Sequence, residues 1–278
     1  MTAPISATDL GLPTEASSDL PAEQLQRLAA TLNRSTRLRT GDPLPLLWHW
    51  AAFTPEAPSA ALGPDGHPLP LADAPMAGLP RRMFAGGRIH RHHPLVVGRP
   101  TVRTATVLDA QEKTGRSGRL LIVVVAYEFH QDGCLAITEH QDLIYREAAA
   151  SAPPAVGRPS EAAPETSGWQ DEVTVDRVTL FRFSAATFNA HRIHYDDAYA
   201  RDVEGYPGLV VHGPLTALLL AGSATEHLAA EPTRFAFRAT APLFEGHRFF
   251  TVGELDGEAA SLRAIRDDGV MAMSATAS

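Results

Sequence analysis

Residues 214–228 read Pro-Leu-Thr-Ala-Leu-Leu-Leu-Ala-Gly-Ser-Ala-Thr-Glu-His-Leu, a stretch that is apolar on nearly all sides when wound as a helix. Such a helix has no face to offer to water, so the rest of the chain must enclose it. The flanking sequence is suited to that task. Strands are predicted after it over 233–240, 247–255, 260–266 and 270–277, and before it over 171–175 and 178–183. The first half adds four strands in a row at 88–93, 99–109, 120–129 and 135–145, with turns at 115–118 and at Asp132-Gly133. Within them the β-branched run Ile122-Val-Val-Val125 has to be deeply buried. The pattern predicts an α+β chain, with curved antiparallel sheet wrapped around a helix.

A short repeat divides the chain. Pro94-Leu-Val-Val-Gly98 matches Pro242-Leu-Phe-Glu-Gly246, and each copy follows a strand end and precedes a long alternating strand. Two tandem units follow, 1–147 and 169–278, joined by a proline-rich linker over 148–168 that lacks bulky apolar residues. Residues 1–17 read as a loose tail. Ser18-Asp19 ahead of Leu20-Pro21 starts a helix whose Leu25, Leu28, Ala29 and Leu32 form one apolar stripe. A short apolar segment, 46–53, is followed by a stretch to residue 80 too rich in proline and glycine for regular structure. Two readings of that stretch stand side by side, a packed covering loop or part of a ligand channel. The enclosed helix occurs in the second unit alone, so one active site per chain is expected.

Composition narrows the function classes. A net charge of −8 with no basic run argues against a nucleic-acid partner. The single cysteine, Cys134, excludes an intramolecular disulfide framework and a cysteine-based zinc cluster. No secretory leader is visible, and no apolar run approaches the roughly 20 residues of a membrane helix, so a cytoplasmic protein without a membrane partner is expected.

The chemistry concentrates in the polar loop ahead of the enclosed helix: Phe188-Asn-Ala-His-Arg-Ile-His-Tyr-Asp196, then Gly205-Tyr-Pro-Gly-Leu-Val-Val-His-Gly-Pro-Leu215. His194 has the proton affinity of a general acid–base group near neutral pH. Gly213 opens the helix, so its N–H is a free donor at the positive end of the helix dipole. A thioester carbonyl docked there would gain enolate character, and losing one such donor typically costs about 10²–10³ in rate. His191 faces either the same pocket or the loop surface. No third ligand lies at a useful spacing from His191 and His194, so no metal site is expected. The His90-Arg-His-His93 cluster reads as a solvated strand end, and Ser184 lacks the turn that presents a hydrolase nucleophile.

This long gapped motif resembles the MaoC-type (R)-specific hydratases and dehydratases. It is most similar to the branch of type-2 3-hydroxyacyl-thioester dehydratases and mesaconyl-C4-CoA hydratases. The resemblance implies a double hot-dog fold, an acyl-CoA partner, no organic or metal cofactor, and either a monomer that is its own pseudo-dimer or a homodimer. It implies catalysis by His194, with Gly213 as oxyanion donor and Asn189 holding water through its amide oxygen. The chain departs from the family pattern Gly-Asp-x-Asn-Pro-x-His: Phe188, Asn189, His191 and Arg192 replace the glycine, aspartate, asparagine and proline. An amide takes no proton, so His194 would be the single base. A dicarboxylic acyl group such as mesaconyl, or the related itaconyl of itaconyl-CoA, would be held by Arg192 or Arg201, with His191, His212 and Tyr206 as further substrate contacts. Two alternatives remain, a general (R)-3-hydroxyacyl-CoA or acyl-carrier-protein dehydratase and a non-catalytic thioester-binding subunit. An arginine lining the acyl tunnel favours the dicarboxylate, and an apolar tunnel favours straight chains.

Overall fold

The structure, a computed structural model, describes residues 5–72, 74, 76, 78–115, 118–147, 157 and 163–278. In chain order the strands are β1 (Glu15–Ser18), β2 (Arg81–Arg91), β3 (Thr101–Gly115), β4 (Gly118–Gln131), β5 (Cys134–Arg146), β6 (Trp169–Thr174), β7 (Arg234–Ala239), β8 (Arg248–Asp256), β9 (Ala259–Arg266) and β10 (Met271–Ala277). The helices are α1 (Ala22–Thr31), α2 (Arg177–Thr187) and α3 (Gly213–His227). The strands form one antiparallel sheet in the order β1-β3-β4-β5-β2-β7-β10-β9-β8-β6. The order is the same read from either edge. Its centre is the seam where Gly86 to His90 of β2 pairs with Arg238 to Arg234 of β7. This is the double hot-dog arrangement.

The sequence repeat marks the same structural joint in both halves. Gly98 and Gly246 both close their turns in the left-handed region, at φ 79° and 74°, where glycine alone is unstrained. Val96 bridges to Pro43 and Phe244 to Val210. The Leu44 N–H donates to the Leu95 carbonyl at 2.7 Å, and the Val211 N–H donates to the Leu243 carbonyl at 2.8 Å. Leu44 and Val211 are therefore equivalent positions. After Val211 the chain enters α3, which buries Leu215, Leu218 and Leu220 among others and packs against β8, β9 and β10. Each such leucine contributes roughly 1.5–3 kcal/mol of burial. After Leu44 the chain makes two short 3₁₀ turns, Trp48–Ala51 and Ser59–Ala61, and among the described residues is otherwise irregular up to β2.

Several expectations need correction. Residues 178–183 are not a strand but the body of α2. Asp176 caps it by accepting the Thr179 N–H at 2.8 Å, and Leu180, Phe183, Ala186 and Thr187 form its buried stripe. The alternation around Phe181 and Phe183 misleads because Phe181 points to the surface, 66% exposed. The first 17 residues are not all loose, since β1 pairs with the start of β3 and Leu10 is buried. β2 starts at Arg81, seven positions before the β pattern becomes legible, because a register shift between Phe84 and Gly86 breaks the alternation. Most of the linker reading lies outside the described residues, which include only 157 and 163–168 of it.

Candidate active site

The loop after α2 is held by local bonds. Phe188 ends the helix in the left-handed region at φ 50°. The Asn189 N–H returns to the Ser184 carbonyl at 2.9 Å, and Asn189 Oδ1 accepts the His191 N–H at 3.0 Å. The amide oxygen expected to hold water is thus engaged in this turn, which leaves the amide nitrogen as the free donor of Asn189. His194 follows in a 3₁₀ turn, Arg192–His194, with its Nδ1 2.7 Å from the Val210 carbonyl. A carbonyl can only accept, so the ring proton sits on Nδ1 and the Nε2 lone pair is free.

Burial sets the protonation of this histidine group. It pushes His194 down to about 4, against the raising effect of the Val210 carbonyl. His212 stacks on His194 with ring centroids 3.7 Å apart, and its Nε2 lies 2.9 Å from the Ser184 hydroxyl. Burial holds His212 well below its ordinary value. Its Nδ1 has no partner among the described residues, so no carboxylate completes a Ser184–His212 triad. His191 is also driven far down, first by burial and then by His67 and the other nearby charges. At neutral pH these rings are uncharged.

A loop from the first half docks on this segment. Gly66 lies at φ 91° so close to the Ala190 carbonyl that a Cβ would collide with it. The Arg192 backbone N–H donates to the Asp65 carbonyl at 2.8 Å, and Arg192 Nη1 donates to the Pro64 carbonyl at 3.0 Å. The loop brings His67 to 4.1 Å from His191, ring to ring, and His191 in turn meets His194 edge-on at 5.3 Å. His67 Nδ1 is 2.9 Å from Asp65 Oδ2. Burial raises the Asp65 carboxyl, but its bonds from His67 outweigh that and leave it below the usual range. Asp65, His67 and His191 each offer a ligand atom within 4.8 Å of the others, a set able to hold a metal ion. His194 is not part of this set, and Asp65 and His67 stand 126 and 124 residues before His191 (191 minus 65 and 191 minus 67), beyond any local spacing rule.

All this opens on a cavity of about 1130 Å³ lined by both halves. The second half supplies Asn189, His191, His194, Tyr206 and Gly213; the first supplies Trp50, Phe53, His67, Arg82, Arg103 and Tyr127. Gly213 is the first residue of α3, and Pro214 behind it has no N–H. The Gly213 amide is therefore the leading donor at the helix start. Arg192 and Arg201 do not line the cavity. They pair with Asp196 at 2.7 Å and Asp197 at 2.8 Å, one helical turn away in sequence. His212 sits behind His194 rather than on the cavity wall. Within the irregular stretch of the first half, Ala74, Met76 and Leu79 join the core, while Pro55, Leu62 and His67 line the cavity. Sequence reasoning missed Asp65, His67, Arg82 and Arg103, which acquire meaning only through contacts made in the folded chain. Among the described residues no helix is long and apolar enough to cross a membrane.

Comparison with known proteins fits this geometry. The family model for hydroxyacyl-thioester dehydratase type 2 matches residues 47–245. Mesaconyl-C(4)-CoA hydratase of Chloroflexus aurantiacus is 44% identical over 268 residues, covering 96% of this chain and 95% of that protein. Among solved structures, HtdX of Mycobacterium tuberculosis superposes with a TM-score of 0.67 at 16% identity, covering 95% of this chain and 98% of that one. A second M. tuberculosis protein, described as having a double hot-dog fold, gives 0.54 at 14% identity over 94% and 93%. The fold, the matched span and the full-length similarity agree, and the chain belongs to the hydroxyacyl-thioester dehydratase type 2 family.

Proposed function

We propose that the chain is an acyl-CoA hydro-lyase that reversibly adds water to an α,β-unsaturated acyl-CoA, with mesaconyl-C4-CoA, hydrated to citramalyl-CoA, as its substrate. The thioester oxygen docks on the Gly213 N–H. Asn189 orients a water through its amide nitrogen. His194 Nε2 takes a proton from that water as its oxygen bonds to the β-carbon, and the resulting enolate charge rests on the Gly213 N–H. The imidazolium then returns the proton to the α-carbon, so both atoms arrive from one face. One observation carries this reading. The neutral His194, its proton fixed on Nδ1 by Val210, turns a free Nε2 to a cavity shared with the first amide of α3. The 44% identity to a mesaconyl-C(4)-CoA hydratase supports the choice of substrate.

The thioester itself supplies the activation, so no cofactor is proposed, and turnover should be unchanged after chelation. The double hot dog already contains its pseudo-dimer, so a monomer suffices. A free, exposed Cys134 suits the reducing cytoplasm, the compartment proposed here. The test is loss of the enoyl-thioester ultraviolet band with mesaconyl-C4-CoA beside crotonyl-CoA. Fast loss with the first and little with the second upholds the reading. The reverse makes the chain a general (R)-hydratase, and two flat traces with measurable binding make it a thioester binder.

A further inference from the structure

Several arginines of low exposure have carboxylate partners. Arg81 meets Glu204 at 2.5 Å and Arg91 meets Glu231 at 2.7 Å, and Arg266 pairs with Asp268. Arg103, on the inner face of β3, has no ion pair among the described residues. Its Nε is buried without a partner, and its one hydrogen bond runs from Nη1 to the Phe53 carbonyl at the long distance of 3.5 Å. The guanidinium lies over the rings of Phe53 and Tyr127, at 5.5 and 5.2 Å. The nearest buried carboxylate, Glu139, is already engaged with His49 at 2.7 Å, Trp50 at 2.9 Å and Gln141 at 2.7 Å. Glu56 lines the cavity mouth but makes no ion pair with Arg103 among the described residues.

A desolvated cation without a counter-ion is costly, and proteins keep one where a ligand supplies the charge. Arg103 is not alone. Arg82, on β2, also lines the cavity and has no hydrogen bond or ion pair among the described residues. Its charge reaches the His67 and His191 rings as well as the Tyr127 hydroxyl. That hydroxyl has no hydrogen-bond partner among the described residues. Burial pushes it up to about 12, with Arg82 and Arg103 pulling the other way, so it remains a neutral donor. Two guanidinium groups and a phenol thus line the cavity that also holds His67 and His191, with no carboxylate partner and only the long Arg103–Phe53 bond among the described residues.

We propose that Arg82, Arg103 and the Tyr127 hydroxyl form an anion pocket for the free carboxylate of a dicarboxylic acyl thioester, and so set the substrate class of the cavity. The assignment rests on the hydratase reading and replaces Arg192 and Arg201, which pair with their own neighbours. In mesaconyl-C4-CoA the free carboxylate is attached to the β-carbon that water attacks, so the pocket has to lie near His194. Arg82, whose charge reaches His67 and the His191 ring that meets His194 edge-on at 5.3 Å, lies on that side of the cavity, and Arg103 supplies a second cation.

The test uses binding, so it does not depend on turnover. Affinities for succinyl-CoA and butyryl-CoA, two saturated thioesters of equal chain length, are measured calorimetrically for the full chain and for Arg82→Gln and Arg103→Gln. The expected result is a preference of about 10–100-fold for succinyl-CoA that falls to a few-fold in each variant. Melting temperatures report whether each variant is folded, and Arg103→Lys, which keeps the charge, should restore part of the preference. No preference in the unaltered protein, or a preference that survives both substitutions, overturns the proposal. An equal loss for both thioesters also overturns it, because the arginines would then hold the phosphates of CoA. If the preference behaves as expected but mesaconyl-C4-CoA is not hydrated, the carboxylate pocket stands and the hydratase reading fails.

Discussion

The two halves of this molecule start from the same frame and fill it differently. Up to Leu44 in one half and Val211 in the other, the chain takes the same path against Leu95 and Leu243. Beyond that point the second half encloses a 15-residue helix, while the first has only short 3₁₀ turns before β2. The sheet faces have diverged to match. Arg103 pairs with Phe129 on the neighbouring strand as Thr251 pairs with Ala264, and Ala105 with Tyr127 as Gly253 with Leu262. Small residues lie under the helix, and large or charged ones face the cavity. A hot-dog unit can therefore give up its central helix if its sheet grows bigger side chains and a neighbour supplies the missing wall. One half keeps the donor at a helix start, and the other provides room for what that donor binds.

This contrast can be broken at its strongest point by His194→Ala, in the half that retains the helix. Hydration of mesaconyl-C4-CoA should fall by about 10²–10⁴ with little change in melting temperature. A loss of a few-fold only would mean that His67, supplied by the other half, carries the proton transfer. Next in size is Gly66→Ala, at the point where the first half touches the catalytic loop. The new methyl has to displace the Ala190 carbonyl at a φ unsuited to it, which should cost on the order of 3 kcal/mol in chemical denaturation and lower kcat together with stability. An unchanged denaturation midpoint would show that the two halves dock loosely.

The histidines sharpen the comparison through pH. With His194 depressed to about 4, the base form persists through neutral pH, and the acid limb of kcat/KM should lie near 4 rather than 6.5. For stability the sign follows from proton binding. Between about 6.5 and the folded value, the unfolded chain binds protons that the buried rings refuse, so stability falls as pH drops below 6.5. The slope is on the order of 1.4 kcal/mol per pH unit for each such ring. Melting curves from pH 7 to 5 check this, and His212→Gln should flatten them. A smaller effect is expected from Tyr127→Leu, which gives the first half the residue that its counterpart has at 262. The succinyl-CoA preference should drop about tenfold. Smallest of all is Arg201→Gln, which should leave kcat/KM within about twofold, since the side chain is exposed and paired locally.

The parts of this fold that were legible share one property, that their signal is local. The apolar helix, the β-branched core strand and the paired Pro-x-x-x-Gly joints each show in a few consecutive residues. α2 was misread because Phe181 and Phe183 alternate like a strand, and only the capping bond of Asp176 and the burial of Leu180 and Ala186 decide the matter. β1 is four residues long and has no pattern of its own before it pairs with β3. In the cavity, Asn189, His194 and Gly213 could be singled out beforehand because they sit on one gapped motif. Asp65, His67, Arg82 and Arg103 could not, because an arginine in a strand looks the same whether or not a carboxylate awaits it. The missing partner is a property of the folded neighbourhood.

The palindromic strand order has a consequence for stoichiometry. Two identical chains paired across such a seam would be bound by symmetry, and any helix removed to enlarge one cavity would vanish from the other as well. With both copies in one chain and a covalent path between them, that symmetry no longer has to hold. Each copy can take a different role, and one cavity lined by both copies can stand where a symmetric pair would carry two. Titration with a tight-binding dicarboxylic thioester should accordingly saturate at one equivalent per chain.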